Sequence, residues 1–104
     1  MTISYFDLIT NPVRHSRKAI PFYICVQHSL LDHLRTRIMA PLQPVGTHQP
    51  SRLYPHLNVA GQMVFLNPTD LVTMEARHLG QPIANLAADS FRIIAALDLV
   101  FTGV

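Results

Sequence analysis

Apolar and polar residues alternate along most of the chain, and the spacing becomes helical only near its end. Residues 2–9 (TISYFDLI) alternate as a strand does, and residues 10–12 (TNP) break the run. Further strand-like runs, rich in β-branched and aromatic residues, lie at 19–27, 36–42, 53–61, 62–69 and 70–80. The pattern therefore predicts a body of short β-strands.

Turn-forming residues separate these runs. Residues 29–34 (SLLDHL) predict a turn or short helical segment, and residues 43–51, with two prolines and a glycine, predict a loop. Ala60-Gly61 joins two strand-like runs tightly, which is typical of a β-hairpin. The composition of residues 70–80 would also suit a helix, but their alternation favours a strand.

A helix is predicted from about Ala87 onward, and Gly103 stands where it would end. Apolar residues recur there at three- and four-residue spacing, at Ile93, Ala96, Leu97 and Val100. Strands followed by one helix make an α+β layout. The last six residues, 99–104 (LVFTGV, hereafter the tail), are apolar, whereas chain ends are usually polar unless something holds them. The pattern leaves open whether the tail docks into the core or is presented to a partner.

Composition indicates one domain spanning residues 1–104 and a permanent interface. The 104-residue chain is 49% hydrophobic and only 13% charged, which is too apolar for a disordered protein. So little charge on a small chain suggests a homodimer. The net charge of +2 is too small for an autonomous nucleic-acid binder, so we expect no direct nucleic-acid contact. The local basic cluster is RHSRK, residues 14–18, on a predicted loop.

Cysteine usage and the N-terminus indicate a soluble cytoplasmic protein without a membrane partner. The single cysteine, Cys25, excludes an intramolecular disulfide and lies in an apolar run, where a free thiol behaves as a small hydrophobe. The first ten residues lack the basic start and long apolar stretch of a signal peptide. No window contains 18 unbroken apolar residues.

The motifs of common active sites and cofactor sites are missing from the sequence. Six histidines have no ligand-like spacing, there is no HExxH motif, and the four glycines are too far apart for a phosphate loop. No GxSxG elbow or acidic pair signals catalysis. We therefore expect no enzyme activity, no metal site and no cofactor.

Four stretches, taken in order, resemble the CcdB family of bacterial toxins over nearly the whole chain. They are NPVRHSRKAIPFYICVQHSLLD (11–32), TRIMAPL (36–42), LYPHLNVAGQMVFLNPTDL (53–71) and LGQPIANLAADSFRIIAALDLVFTGV (79–104). The resemblance implies a small SH3-like antiparallel barrel of five strands, with a short extra sheet and a C-terminal α-helix. It also implies a symmetric dimer with adjacent C-termini.

CcdB toxins poison DNA gyrase in type II toxin–antitoxin modules, so the resemblance implies a presented tail that binds the A subunit of gyrase. It implies a wedge that binds the open, DNA-cleaved enzyme and stalls religation. The gyrase-binding residues implied by motif position are Leu30, Leu31, Asp98, Phe101, Thr102, Gly103 and Val104. A simpler interpretation places the leucines and Phe101 in the core. A cognate CcdA-like antitoxin is also implied, and Arg14, Arg17 and Lys18 are candidates for binding it.

Two positions depart from the best-known plasmid-borne members of that family. Those toxins have a tryptophan, which stacks on gyrase arginines, where this chain has Thr102, and an asparagine where it has Asp98. Two alternative functions follow: a weakly toxic or non-toxic homologue acting as an antitoxin-binding decoy, and a MazF-like endoribonuclease. The residues available for the latter are Arg14, Arg17 or Lys18 with Asp7.

Overall fold

Residues 2–104, which the computed structural model describes, form a curled antiparallel half-barrel with one α-helix packed on it. The strands are β1 (Asp7–Thr10), β2 (Phe22–Cys25), β3 (Thr36–Pro44), β4 (His56–Val59), β5 (Gln62–Leu66), β6 (Val72–Glu75) and β7 (Ala84–Asn85). Helix α1 is Ser90–Thr102, and short 3-10 turns cover Arg14–Ser16, Ser29–Leu31, Ala76–His78 and Ala87–Asp89. The predicted α+β class with a CcdB-like barrel and a C-terminal helix is confirmed.

The long strand β3 connects the whole sheet. The strand order is β4-β5-β3-β2-β1-β7, and β6 also pairs with β3. Residues 36–39 of β3 pair with β6, whereas residues 42–44 pair with β5. The expected five strands with a separate small sheet are therefore wrong in that detail, because the nine residues of β3 join all seven described strands into one sheet.

Both faces of the sheet are covered by apolar side chains. Because successive strand residues point to opposite faces, Leu8 and Ile24 enter one core while Ile9 and Cys25 enter a second. Helix α1 covers the first core through Ile93, which is fully buried. Because both faces of the sheet are buried, the strand sequences are nearly continuous apolar runs and do not alternate strictly between apolar and polar residues.

The N-terminal strand begins later than predicted. The expected strand over 2–9 is wrong for its first half, where Tyr5 and Phe6 form a turn and Phe6 has a positive φ of 68°. Asp7 stabilises that turn, because its Oδ2 accepts a 2.8 Å hydrogen bond from the Ser4 N–H. The strand proper starts at Asp7 and continues through Thr10.

One local prediction is confirmed, a second is confirmed in part, and one strand is new. Ala60 and Gly61, with φ of 51° and 81°, form the tight turn between β4 and β5, and only a primed turn has two such residues. Of the strand predicted over 70–80, residues 72–75 form β6, whereas 76–78 form a 3-10 turn. Strand β7 has two residues and was not predicted.

Helix α1 ends where the sequence indicated. Gly103 adopts the left-handed conformation (φ 75°), and its N–H donates to the backbone oxygens of Asp98 and Leu99 at 3.2 Å. The glycine is required because a side chain at this φ would be strained. Among residues 2–104 no helix is long and apolar enough to cross a membrane.

Candidate functional site

The last four residues of the tail, 101–104, are exposed and lie outside the chain's own core. Phe101 is 68% exposed and Val104 is 77% exposed, while the preceding Leu99 and Val100 are half-buried. The helix therefore ends with its last aromatic side chain directed outward. The alternative that Phe101 belongs to the core of this chain is wrong.

One exposed face of helix α1 carries three apolar side chains and one carboxylate. Phe91, Ile94, Asp98 and Phe101 follow each other at helical spacing, and all four are exposed. The core-facing side chain Ile93 lies on a different face of the helix. The residues of helix α1 that pack in the core are therefore different from those that face solvent.

The two predicted leucines lie on a 3-10 turn, Ser29–Leu31 (hereafter the leucine turn). Leu30 is 78% exposed and Leu31 is 42% exposed, so neither belongs to the core. His28 begins the turn, and its Nδ1 accepts a 3.0 Å hydrogen bond from the Leu30 N–H. That bond fixes the backbone from which Leu30 projects.

Tyr5 packs beside the start of the leucine turn. Its ring centroid is 5.3 Å from that of His28 and 3.8 Å from that of Phe6, on which it stacks. Burial raises the pKa of Tyr5 above its ordinary value of 10.0, and the nearby Asp98 carboxylate raises that pKa further. Tyr5 therefore contacts the residue that begins the leucine turn and lies within electrostatic range of Asp98 on helix α1. No sequence pattern indicated Tyr5 or His28, since both contacts depend on the turn at Phe6.

Polar contacts fix the tail's direction. The Thr102 hydroxyl donates to the Asp98 backbone oxygen at 2.7 Å, and the Val104 N–H reaches that hydroxyl at 3.4 Å. The Arg52 guanidinium donates from Nη2 to the Val104 backbone oxygen. The chain end is thereby fastened to the loop before β4, which sequence reasoning missed.

The predicted antitoxin-binding residues lie elsewhere. Arg14, Arg17 and Lys18 are exposed on the connection between β1 and β2. Arg17 is held there, because its Nε donates to the Asn11 backbone oxygen at 2.6 Å. That connection joins β1 to β2 at the end of the hairpin where Thr10 pairs with Phe22. The Tyr5–Phe6 turn lies at the opposite end of the same hairpin, where the Phe6 N–H bonds the Cys25 oxygen. The structure does not bring these cations together with the tail.

The family model described as CcdB protein matches residues 5–103, nearly the full chain. The chain belongs to the CcdB family. A comparison with curated proteins found no match. CcdB proteins are toxins of toxin–antitoxin systems, of the gyrase-poisoning type, and act on gyrase without being catalysts themselves. Dimerisation and a CcdA-type antitoxin are general to the family.

The residues considered for a nuclease do not converge in this CcdB-family chain. The Asp7 carboxylate accepts hydrogen bonds from the Ser4 N–H at 2.8 Å and the Asn85 Nδ2 at 2.9 Å, so both of its oxygens are engaged. Asp7 also lies at the opposite end of β1 from Arg14 and Arg17. The described contacts therefore do not place Asp7 beside those cations.

A cleft of about 590 Å³ is lined by residues of the segments 32–37 and 75–79, which pair with each other through β3 and β6. It begins at Asp32, directly after the leucine turn, but none of the tail or leucine-turn residues lines it. The predicted site is therefore an open surface of exposed side chains, which is the form that suits a protein partner better than a small molecule.

Metal ligands do not gather in groups of three or more in the described part of the chain, residues 2–104. The histidines are nevertheless not all scattered, because His48 Nδ1 and His56 Nε2 are 3.1 Å apart. The sequence spacing of eight residues concealed this pair, since a loop and strand β4 bring the two rings together.

Proposed function

We propose that this chain is a toxin that binds the A subunit of DNA gyrase through the tail and the leucine turn and traps the cleaved gyrase–DNA complex. The observation that carries the proposal is the exposure of Phe101 and Val104 at the end of helix α1, together with that of Leu30 on the leucine turn. Exposed aromatic and aliphatic side chains on one surface are the usual anchors of a protein interface. Family membership supplies the class of partner.

The mechanism needs no active site. A protein that binds only the open, cleaved state of gyrase shifts the population toward that state by its differential affinity. In a symmetric homodimer each anchor occurs twice around the twofold axis, so a small surface can form a large contact. We infer that this chain acts as such a dimer and that a CcdA-like antitoxin neutralises it, with Arg14, Arg17 and Lys18 as candidate contacts.

Thr102, in the tail, favours a second candidate function, that of a weakly toxic decoy that binds antitoxin. The Thr102 hydroxyl is turned back on the Asp98 backbone oxygen and offers no aromatic surface to a gyrase arginine. Loss of one aromatic anchor can cost about 2–4 kcal/mol of binding free energy. The same two residues, Thr102 and Asp98, are the departures from the best-known toxins.

A matched pair of substitutions on one helix tests the proposal. Phe101→Ala and Phe91→Ala remove the same side chain from exposed positions at the two ends of helix α1, which are 68% and 85% exposed. Binding to a purified gyrase A fragment should weaken at least about tenfold in Phe101→Ala, as expected for an interface anchor. Phe91→Ala should bind as the parent does. Equal effects of the two changes would contradict a tail-centred site.

Expression in a gyrase-sensitive host separates the two candidate functions. A gyrase poison arrests growth with double-strand DNA breaks, and Phe101→Ala should relieve both effects. A decoy leaves growth unchanged and binds antitoxin without binding gyrase.

A further inference from the structure

An aromatic cluster at strands β4 and β5 contains His48, Tyr54, His56 and Phe65. His48, on the loop before β4, stacks on Phe65 with ring centroids 3.9 Å apart and an interplanar angle of 5°. Tyr54 packs edge-on against both rings, at 5.5 Å from His48 and 6.1 Å from Phe65. His56 lies on β4 and pairs with Phe65 across the hairpin. The cluster is built from the loop and both strands.

The backbone around the two histidines is also held. The His48 N–H donates to the Val45 oxygen at 2.7 Å, which closes the turn that carries the ring. The His56 oxygen accepts a 2.7 Å hydrogen bond from Arg92 Nη1 on helix α1. Both imidazoles are half-buried and therefore reach solvent while their positions are fixed. Such a pair is preorganised for a ligand.

A hydrogen bond joins His48 Nδ1 to His56 Nε2 at 3.1 Å, with the donor set by the tautomer of each ring. The same separation suits a shared metal ion. Two imidazole nitrogens at about 2.0–2.1 Å from one ion, at coordination angles between about 90° and 109°, lie about 2.8–3.4 Å from each other. We propose that His48 and His56 form a two-histidine site for a borderline divalent transition-metal ion such as Ni²⁺ or Zn²⁺.

The chemistry of the donors decides the class of ion. Imidazole nitrogens suit Zn²⁺, Cu²⁺ and Ni²⁺, whereas Mg²⁺ and Ca²⁺ require oxygen ligands. With two protein ligands, the remaining coordination positions belong to water or to a group from a partner. An ion held by both rings would fasten the loop that carries His48 to strand β4. This inference is independent of gyrase binding.

Titration of the protein without a histidine tag, stripped of metal, tests the site. Isothermal titration with NiCl₂ and with ZnCl₂ should give one ion per chain, and either ion should raise the midpoint of thermal unfolding by linkage. His48→Phe retains a ring to stack on Phe65 but removes a ligand, and His56→Gln removes the other. Each should weaken binding by more than about tenfold, since even the loss of a supporting contact costs that much.

Exposed histidines outside the pair supply the control. His33→Gln and His78→Gln remove imidazoles that lie away from His48 and His56 in the sequence and are exposed. Both variants should keep the wild-type affinity and the wild-type shift in unfolding midpoint. The proposal is overturned if His48→Phe and His56→Gln bind Ni²⁺ as the parent does. It is also overturned if neither ion binds at about millimolar concentration, or if one ion binds per two chains. MgCl₂ should have no effect on the unfolding midpoint.

Discussion

Arg37 Nε donates a 2.7 Å hydrogen bond to the backbone oxygen of Ile3 and so fastens the N-terminal segment to strand β3. The other guanidinium nitrogens donate to the backbone oxygens of Leu34, Thr36 and Asp32 at 2.7–2.9 Å. The side chain is 0% exposed. A buried charge is tolerated here because carbonyl oxygens surround it.

Replacement of Arg37 by Met should therefore destabilise the fold strongly. Several buried carbonyl groups would lose their donor, and each costs about 1–3 kcal/mol when unsatisfied, so we expect a loss of about 3 kcal/mol or more in unfolding free energy. Arg35→Met is the matched control, because Arg35 is exposed on the same segment, and it should change stability by less than about 0.5 kcal/mol. Urea unfolding measures both, and similar losses in the two variants would refute the role of Arg37.

Deletion of Gly103 and Val104 should abolish gyrase binding and leave the thermal midpoint nearly unchanged. Val104 is exposed and lies outside both apolar cores, so its removal takes little from stability. Within the chain, the deletion removes the hydrogen bonds of Gly103 N–H to Asp98 and Leu99 and those of Val104 to Arg52 and Thr102, all at the exposed end of the helix. Calorimetry and a binding assay on the same sample separate the effects. Unfolding of the shortened chain would show that the tail supports the core after all.

Thr102→Trp should strengthen gyrase binding. An indole covers far more apolar surface than threonine and can face a cation, so we expect a gain of about 1–2 kcal/mol, or roughly 5- to 30-fold. The gain should appear as slower dissociation, because it comes from short-range packing. Thr102→Val is the control: it removes the hydroxyl that donates to Asp98 without adding a ring. An unchanged dissociation rate in Thr102→Trp would mean that residue 102 does not face gyrase.

The Cys25 thiol should make the fold weaken in alkali. Burial raises its pKa above the ordinary value of 9.0, although the hydrogen bond to the Gln27 backbone and the charge of Arg37 act in the opposite direction. The folded thiol thus holds its proton more tightly than the unfolded one. Unfolding free energy is therefore intact below pH 9.0 and falls as the pH rises through the unfolded pKa toward the folded one.

Cys25→Ala provides the comparison. The variant loses some stability at every pH, but its unfolding free energy should fall less between about pH 8 and pH 10 than that of the parent. Tyr23, whose pKa burial raises above 10.0, acts in the same direction in both proteins at higher pH. Equal slopes in the parent and the variant over this range would exclude the thiol as the cause.

The protein should form a stable dimer at micromolar concentration. The single chain leaves large apolar side chains uncovered, among them Ile83 and Met63, and charged residues make up only 13% of the sequence. Covering such surface is the main driving force of permanent association. Light scattering should give twice the mass of 11.7 kDa, and a monomeric mass would contradict the proposed wedge geometry.

The sequence predicted those elements whose cause is local. The hairpin at Ala60-Gly61 and the helix end at Gly103 depend on residues that adopt positive φ, and both are confirmed. Strand β7 escaped prediction because two residues cannot display a period. The late start of β1 escaped because Phe6 adopts a left-handed φ that its residue type does not announce.

The contacts of the candidate site were hidden for a different reason. The proximity of Tyr5 to His28, and of His48 to His56, arises from folding of segments that are separate in sequence. The exposed positions of Leu30 and Phe101 agree with what motif position implied, and their part in gyrase binding stays a prediction. Sequence patterns therefore predict helices and strands from their periodicity, but they do not predict which distant segments come into contact.

The division of helix α1 into a core face and an exposed face has an evolutionary consequence. Ile93 and Ala96 are fully buried and are constrained by packing, whereas Asp98, Phe101 and Thr102 lie outside the core. Mutations at these exposed positions can accumulate without loss of the fold, so the proposed target surface is free to diverge faster than the scaffold. Threonine and aspartate at positions 102 and 98 are the kind of change that this freedom permits. A toxin and its host's gyrase can thus coevolve through a handful of codons at one end of one helix.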